Sequence, residues 1–168
     1  MFFVSDALLD QILTDDIPYG DATTALFGIE KIPGIVRCRP KAETTIAGVA
    51  LAERLFARVG LQTTLFHEEG DTVAAGTVIL EGRGPAGAIH AVYKTAQNIL
   101  EYASGIATRT HQMVEEARAG NPLCRVAVTR KHFPGTKTLS LYAAMSGGAV
   151  VHRMGLSESV LVFDQHRV

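Results

Sequence analysis

A short apolar run that stops in cations governs the reading of this chain: Val126-Ala-Val-Thr-Arg-Lys131. Val126, Ala127 and Val128 are too few and too uniformly apolar for a surface helix, and predict a buried strand. Thr129, Arg130 and Lys131 then fall at its C-terminal edge. Pro134 and Gly135 turn the chain. Leu139-Ser-Leu-Tyr-Ala-Ala-Met145 predicts a helix stopped by Gly147-Gly148. A second apolar run, Ala149-Val-Val151, ends in His152-Arg153. A third, Ser159-Val-Leu-Val-Phe163, ends in Asp164-Gln-His-Arg167. Strand, helix, strand, with ionisable groups after each strand, is the pattern of the catalytic edge of a β/α barrel. The plainer reading of Arg130 and Lys131 is a pair of solvated turn cations.

The bounds are those of a folded protein. Hydrophobic residues make up 47% and charged residues 20% of 168 positions, which excludes intrinsic disorder. A formal net charge of −1 argues against a general nucleic-acid binder. No apolar run approaches the roughly 18 residues of a membrane span. Met1-Phe-Phe-Val4 lacks the basic and long apolar regions of a leader. Cys38 and Cys124 are far apart and carry no metal-ligand spacing, so both are read as structural thiols in a reducing, cytoplasmic setting.

Earlier in the chain, Ser5 caps a short helix over 5–13 with apolar positions 8, 9, 12 and 13. Asp15-Asp-Ile-Pro-Tyr-Gly-Asp-Ala-Thr-Thr24 is turn-rich. It reads as an Asx-type loop that caps a neighbour, or as a magnesium site if the fold gathers its oxygens. Gly34–Arg39 alternates as a half-exposed strand, and Thr44–Ala47 follows as another. Val49–Val59 predicts a helix closed by Gly60. Gln62–Glu68 and Gly76–Arg83 predict strands around a turn at Glu69-Gly70-Asp71. This hairpin resembles those of biotinyl and lipoyl carrier domains. No Lys lies between Gly60 and Tyr93 to accept a cofactor, so a carrier role is set aside. His90–Ala119 predicts a helix with Val92, Ala96, Ile99, Ala103 and Ile106 in one stripe. A break is expected at Ser104-Gly105. Lys94 lies off the stripe, where a solvated lysine is the plainer reading.

The fold expected is an α+β sandwich domain over 1–106, followed by the start of an α/β (β/α) barrel over 107–168. That second part holds only about 60 residues, whereas a complete barrel takes about 250. It is therefore expected to be cut short, its last strand an unprotected parallel edge.

Six blocks then carry a specific likeness. They are Asp16–Thr24, Gln97–Thr108, Thr129-Arg-Lys-His-Phe-Pro-Gly-Thr-Lys137, Gly147-Gly148, His152-Arg-Met-Gly-Leu156 and Leu161-Val-Phe-Asp-Gln-His166. In this order they resemble the quinolinate phosphoribosyltransferases (nicotinate-nucleotide pyrophosphorylases). The nearest likeness is the ModD branch, named as pyrophosphorylases and associated with molybdate transport operons. Members continue well beyond position 168, so the chain looks like the amino-terminal portion of one.

The resemblance implies a glycosyltransferase that moves phosphoribosyl from phosphoribosyl pyrophosphate to the nitrogen of an aromatic acid. Pyrophosphate leaves, and quinolinate enzymes then decarboxylate. It implies magnesium with the donor, its protein ligands lying past Val168, and a homodimer with a shared site. Arg130 would offer a planar fork to a carboxylate and Lys131 a point charge to the pyrophosphate. Thr129, His152 and Arg153 would complete the substrate site. The transition state has oxocarbenium character, so positioning and charge stabilisation should supply most of the acceleration.

Two positions depart from the family. Lys94 stands where the family has an Arg lent by the partner subunit, and keeps the charge without bidentate geometry. Phe163 stands where the family has a Lys, and replaces a cation with an aromatic face. The acceptor is therefore expected to carry fewer carboxylates than quinolinate and to stack on Phe163. The 168-residue form is expected to be inactive. A non-catalytic oxyanion-binding or regulatory protein of molybdate transport is the competing expectation.

Overall fold

A computed structural model describes residues 4–167; Met1–Phe3 of the leader reading lie outside the described residues. Ser5 accepts from the Leu8 amide and starts helix α1 (Asp6–Asp16), which runs three residues past its expected end. Asp21 accepts from the Thr23 and Thr24 amides and caps helix α2 (Ala22–Phe27). The turn-rich acidic segment thus does cap a neighbour.

Strand β1 (Pro33–Cys38) and β2 (Thr44–Thr45) precede helix α3 (Val49–Arg58). Next come β3 (Gln62–Leu65), β4 (Thr72–Val73) and β5 (Leu80–Pro85). The predicted hairpin of two long strands is thereby corrected. β3 and β5 pair antiparallel from Gln62↔Arg83 to Leu65↔Leu80, while β4 turns aside to pair with β2. The Asp71 carbonyl accepts from Ile46 and the Gly70 amide donates to the Ile46 carbonyl, which holds the turn against β2 rather than in the main sheet. That sheet has the order β1-β5-β3.

Its inner face carries the core. Phe56, Leu55, Leu80 and Val92 are fully buried. Gly82 on β5 is required by Phe56: a Cβ there would lie 2.7 Å from the ring. The outer face is open. On it Glu81 accepts from Arg37 at 2.6 Å and from Arg83 at 2.7 Å, and Arg37 first, then Arg83, holds its carboxyl below the ordinary glutamate range.

Helix α4 (Ala86–Gly120) is continuous, so the expected break at Ser104-Gly105 is absent. The Ser104 hydroxyl donates to the Ala47 carbonyl and accepts from the Ala47 amide, both at 3.1 Å. It therefore fastens the helix to the segment after β2 instead of competing with the helix's own bonds. Val92, Ala96, Ile99 and Ala103 of the stripe are buried as expected, whereas its last member, Ile106, is exposed and lines the groove beside β6. α4 crosses position 106 uninterrupted and supports both parts of the chain.

Beyond it, β6 (Ala127–Val128) and β7 (Val150–Val151) pair in parallel, in register Ala127↔Val150. Helix α5 (Lys137–Ser146) crosses between them. This is a strand–helix–strand unit of a barrel, and with the sandwich it makes the expected fold class. Gly147 seats α5 on α4: a Cβ there would lie 2.4 Å from the Ala107 carbonyl oxygen. The predicted strand Ser159–Phe163 is not a strand. Its run lies in the open, Val160 being 93% exposed, because a strand needs a ladder and nothing described pairs with it. Among the described residues no helix is long and apolar enough to cross a membrane.

Candidate active site

The parallel pair decides which residues meet. The Val150 amide donates to the Val126 carbonyl at 2.9 Å, and the His152 amide to the Val128 carbonyl at 3.0 Å. Residues after 128 and after 151 therefore leave the same edge side by side. Thr129, Arg130 and Lys131 follow one strand, His152 and Arg153 the other. The loop between β6 and α5 is closed by Pro134-Gly135, with Gly135 at φ 84°, and by the Thr136 hydroxyl donating to the Phe133 carbonyl at 2.8 Å.

The side chains then divide. Arg130 and Arg153 line one cavity of about 620 Å³ together with Phe163. Phe163 is 48% exposed and so faces this pocket rather than a packed core. The rim is tied by Arg153 donating to the Ser159 carbonyl at 3.3 Å and by the Met154 amide donating to Glu158. Thr129 and Lys131 line a second, larger groove of about 920 Å³. Asp15, Asp16 and Tyr102 line it as well. Asp16 is itself held there, accepting from the Thr95 hydroxyl at 3.0 Å. The exposed His152 contributes its backbone to the ladder and lines neither cavity.

Lys94 lies elsewhere. It is exposed on α4, donates to Gln97 at 3.3 Å, and lines neither of these cavities. Its neighbours Tyr93 and Gln97 border a third cavity, of about 650 Å³, that also holds Arg37, Arg39, Lys41 and Arg109. Within one subunit Lys94 is thus apart from the barrel-edge cations.

His166 was missed. It lines the cavity of Arg130 and Arg153, and its ring lies 6.0 Å from that of Phe163 at 30°. The signal was the spacing of three residues from Phe163 inside one block. Among the described residues no group of three or more His, Cys, Asp or Glu could hold a metal ion, so these residues provide no protein cage for magnesium.

The profile of the family described as "Quinolinate phosphoribosyl transferase, N-terminal domain" matches residues 21–104. The profile of its C-terminal domain matches residues 106–168. The "Putative pyrophosphorylase ModD" of Rhodobacter capsulatus is 41% identical over 99% of this chain and 64% of its own length. The protein of the same name from Pasteurella multocida is 38% identical over 99% of this chain and 59% of its own. The crystal structure of the nicotinate-nucleotide pyrophosphorylase from Francisella tularensis superposes with a TM-score of 0.89 at 27% identity. It covers 98% of this chain and 60% of that one. The chain therefore spans roughly three fifths of the length of these relatives. With two adjoining family profiles matched in order on a barrel edge of the same architecture, the chain belongs to the quinolinate phosphoribosyl transferase family.

Proposed function

We propose that the full natural chain carrying this sequence transfers phosphoribosyl from phosphoribosyl pyrophosphate to the ring nitrogen of an aromatic acid. The observation that carries this reading is one pocket lined by Arg130 and Arg153, from the ends of adjacent parallel strands, and by Phe163. Two planar forks suit a carboxylate, and a ring suits the flat acceptor. Lys131, in the neighbouring groove, is assigned to the donor's pyrophosphate. The acceptor nitrogen forms the new bond to the sugar carbon as the carbon–oxygen bond to pyrophosphate breaks. The electron pair of that bond leaves with pyrophosphate.

The protein's part is positional and electrostatic. Arg130 and Arg153 fix the carboxylate, and Lys131 draws charge toward the leaving group. Magnesium is assigned to the donor's pyrophosphate, and no step is assigned to protein ligands for it. A homodimer is part of the reading, because Lys94 sits on the sandwich and reaches an acceptor only in another subunit's pocket.

The acceptor is read as carrying fewer carboxylates than quinolinate. A buried carboxylate without a cation costs several kcal/mol, roughly a hundredfold or more in affinity. The test is pyrophosphate release by the full natural chain with phosphoribosyl pyrophosphate, magnesium and a series of pyridine carboxylates. Arg130→Ala should lower kcat/KM for the acceptor by about a hundredfold or more. Phe163→Lys should raise turnover of quinolinate. Efficient quinolinate turnover by the wild type would overturn the acceptor assignment, and no pyrophosphate release with any acceptor would overturn the reaction.

A further inference from the structure

The pocket of Arg130 and Arg153 holds a second ring whose polar atom has no assigned use. The turn Asp164–His166 folds the chain back on Phe163. The Phe163 amide donates to His166 Nδ1 at 3.0 Å, and the His166 amide donates to the Phe163 carbonyl at 2.9 Å. These two bonds fix the imidazole beside the phenyl ring, centroids 6.0 Å apart. Because Nδ1 accepts, the neutral ring carries its proton on Nε2. Nε2 makes no hydrogen bond among the described residues, and both rings line the cavity.

The geometry points to His166 as a specificity-determining residue whose Nε2–H reads a neutral acceptor group on the substrate. This rests on the phosphoribosyl-acceptor reading of the same pocket. A flat acid held by Arg130 and Arg153 against Phe163 brings its ring edge to the imidazole. A neutral N–H satisfies one hydrogen-bond acceptor but leaves a second carboxylate's charge uncompensated. The chemical class is therefore a nitrogen heteroaromatic monocarboxylate with a neutral acceptor, such as a carboxamide or oxo group, beside the carboxylate. Phe163 excludes the second charge, and His166 rewards its uncharged replacement.

The experiment is calorimetric binding to the full natural chain, without turnover. The probes are quinolinate, its analogue with the 3-carboxylate replaced by a carboxamide, and phosphoribosyl pyrophosphate. The wild type should bind the amide at least about tenfold more tightly than quinolinate. One neutral hydrogen bond is worth about that factor. His166→Phe keeps a ring beside Phe163 and removes the donor. His166→Leu removes both the ring and the donor. Both should erase the preference while leaving phosphoribosyl pyrophosphate affinity within about twofold.

The proposal is overturned if the wild type binds neither acid or shows no preference. It is also overturned if the variants retain the preference, or if acid and phosphoribosyl pyrophosphate binding fall together. Binding with this preference but no pyrophosphate release in the turnover assay would sink the transferase reading and leave this assignment standing.

Discussion

In the sandwich, Phe56, Leu55, Leu80 and Val92 are fully buried between a three-stranded sheet and two helices. In the strand–helix–strand unit beyond α4, the buried apolar residues are Leu141, Ala143, Ala144 and Ala149, and Ala143 finds its partners in Ala47 and in Ala103 and Ala107 of α4, outside that unit. The sandwich encloses its own core. The barrel start borrows one from α4, and its two described strands are each two residues long. The candidate chemistry nevertheless sits on the second region. A strand edge can present Arg130 and Arg153 together only where backbone ends are left unburied, so the candidate site residues are held by a less self-sufficient frame.

The sharpest way to break this comparison is Phe56→Ala. Loss of a large ring from a closed core costs about 3–5 kcal/mol. Chemical denaturation should show the whole chain losing its midpoint, since α4 carries both regions.

Gly147→Ala separates them. A Cβ at 2.4 Å from the Ala107 carbonyl oxygen forces α5 outward, for about 1–3 kcal/mol. Hydrogen exchange should rise in α5, β6 and β7 while amides of β1, β3 and β5 keep their protection. Equal acceleration in both regions would show that the barrel start is no weaker than the sandwich.

The smallest effect concerns the open sheet face. Arg37, and after it Arg83, lowers the folded pKa of Glu81. A carboxyl depressed on folding contributes stability that is present above its unfolded pKa, near ~4.3. That stability is lost as pH falls through the lower folded value. Glu81→Gln should lower Tm by a few degrees at neutral pH, and the gap to wild type should close on acidification through that range. A gap independent of pH would assign Glu81 to packing rather than charge. Arg58 and Arg54, which hold Asp6 and draw its carboxyl down in the same sense, Arg54 first, should leave a parallel signature at α1.

Local pattern carried much of the architecture. The stripe of Val92, Ala96, Ile99 and Ala103 announced the face of α4 that is buried, because helical periodicity is a property of neighbours in sequence. The cations after Val128 and Val151 announced a barrel edge for the same reason. The break assigned to Ser104-Gly105 failed because the partner of that hydroxyl, Ala47, lies 57 residues away. The strand assigned to Ser159–Phe163 failed because an apolar run becomes a strand only with a ladder beside it.

The candidate site divides along the same line. Residue type and order made Thr129, Arg130, Lys131, His152 and Arg153 legible as one cationic edge. Only the parallel register and the loop geometry decided that Arg130 and Arg153 share a pocket with Phe163 while Thr129 and Lys131 turn to another. His166 entered that pocket through a turn closed by two hydrogen bonds to Phe163. Composition and spacing set which charges the chain carries and where along it they fall. Which of them face one substrate is a matter of backbone direction at the strand ends, and that direction is settled by contacts far apart in the sequence.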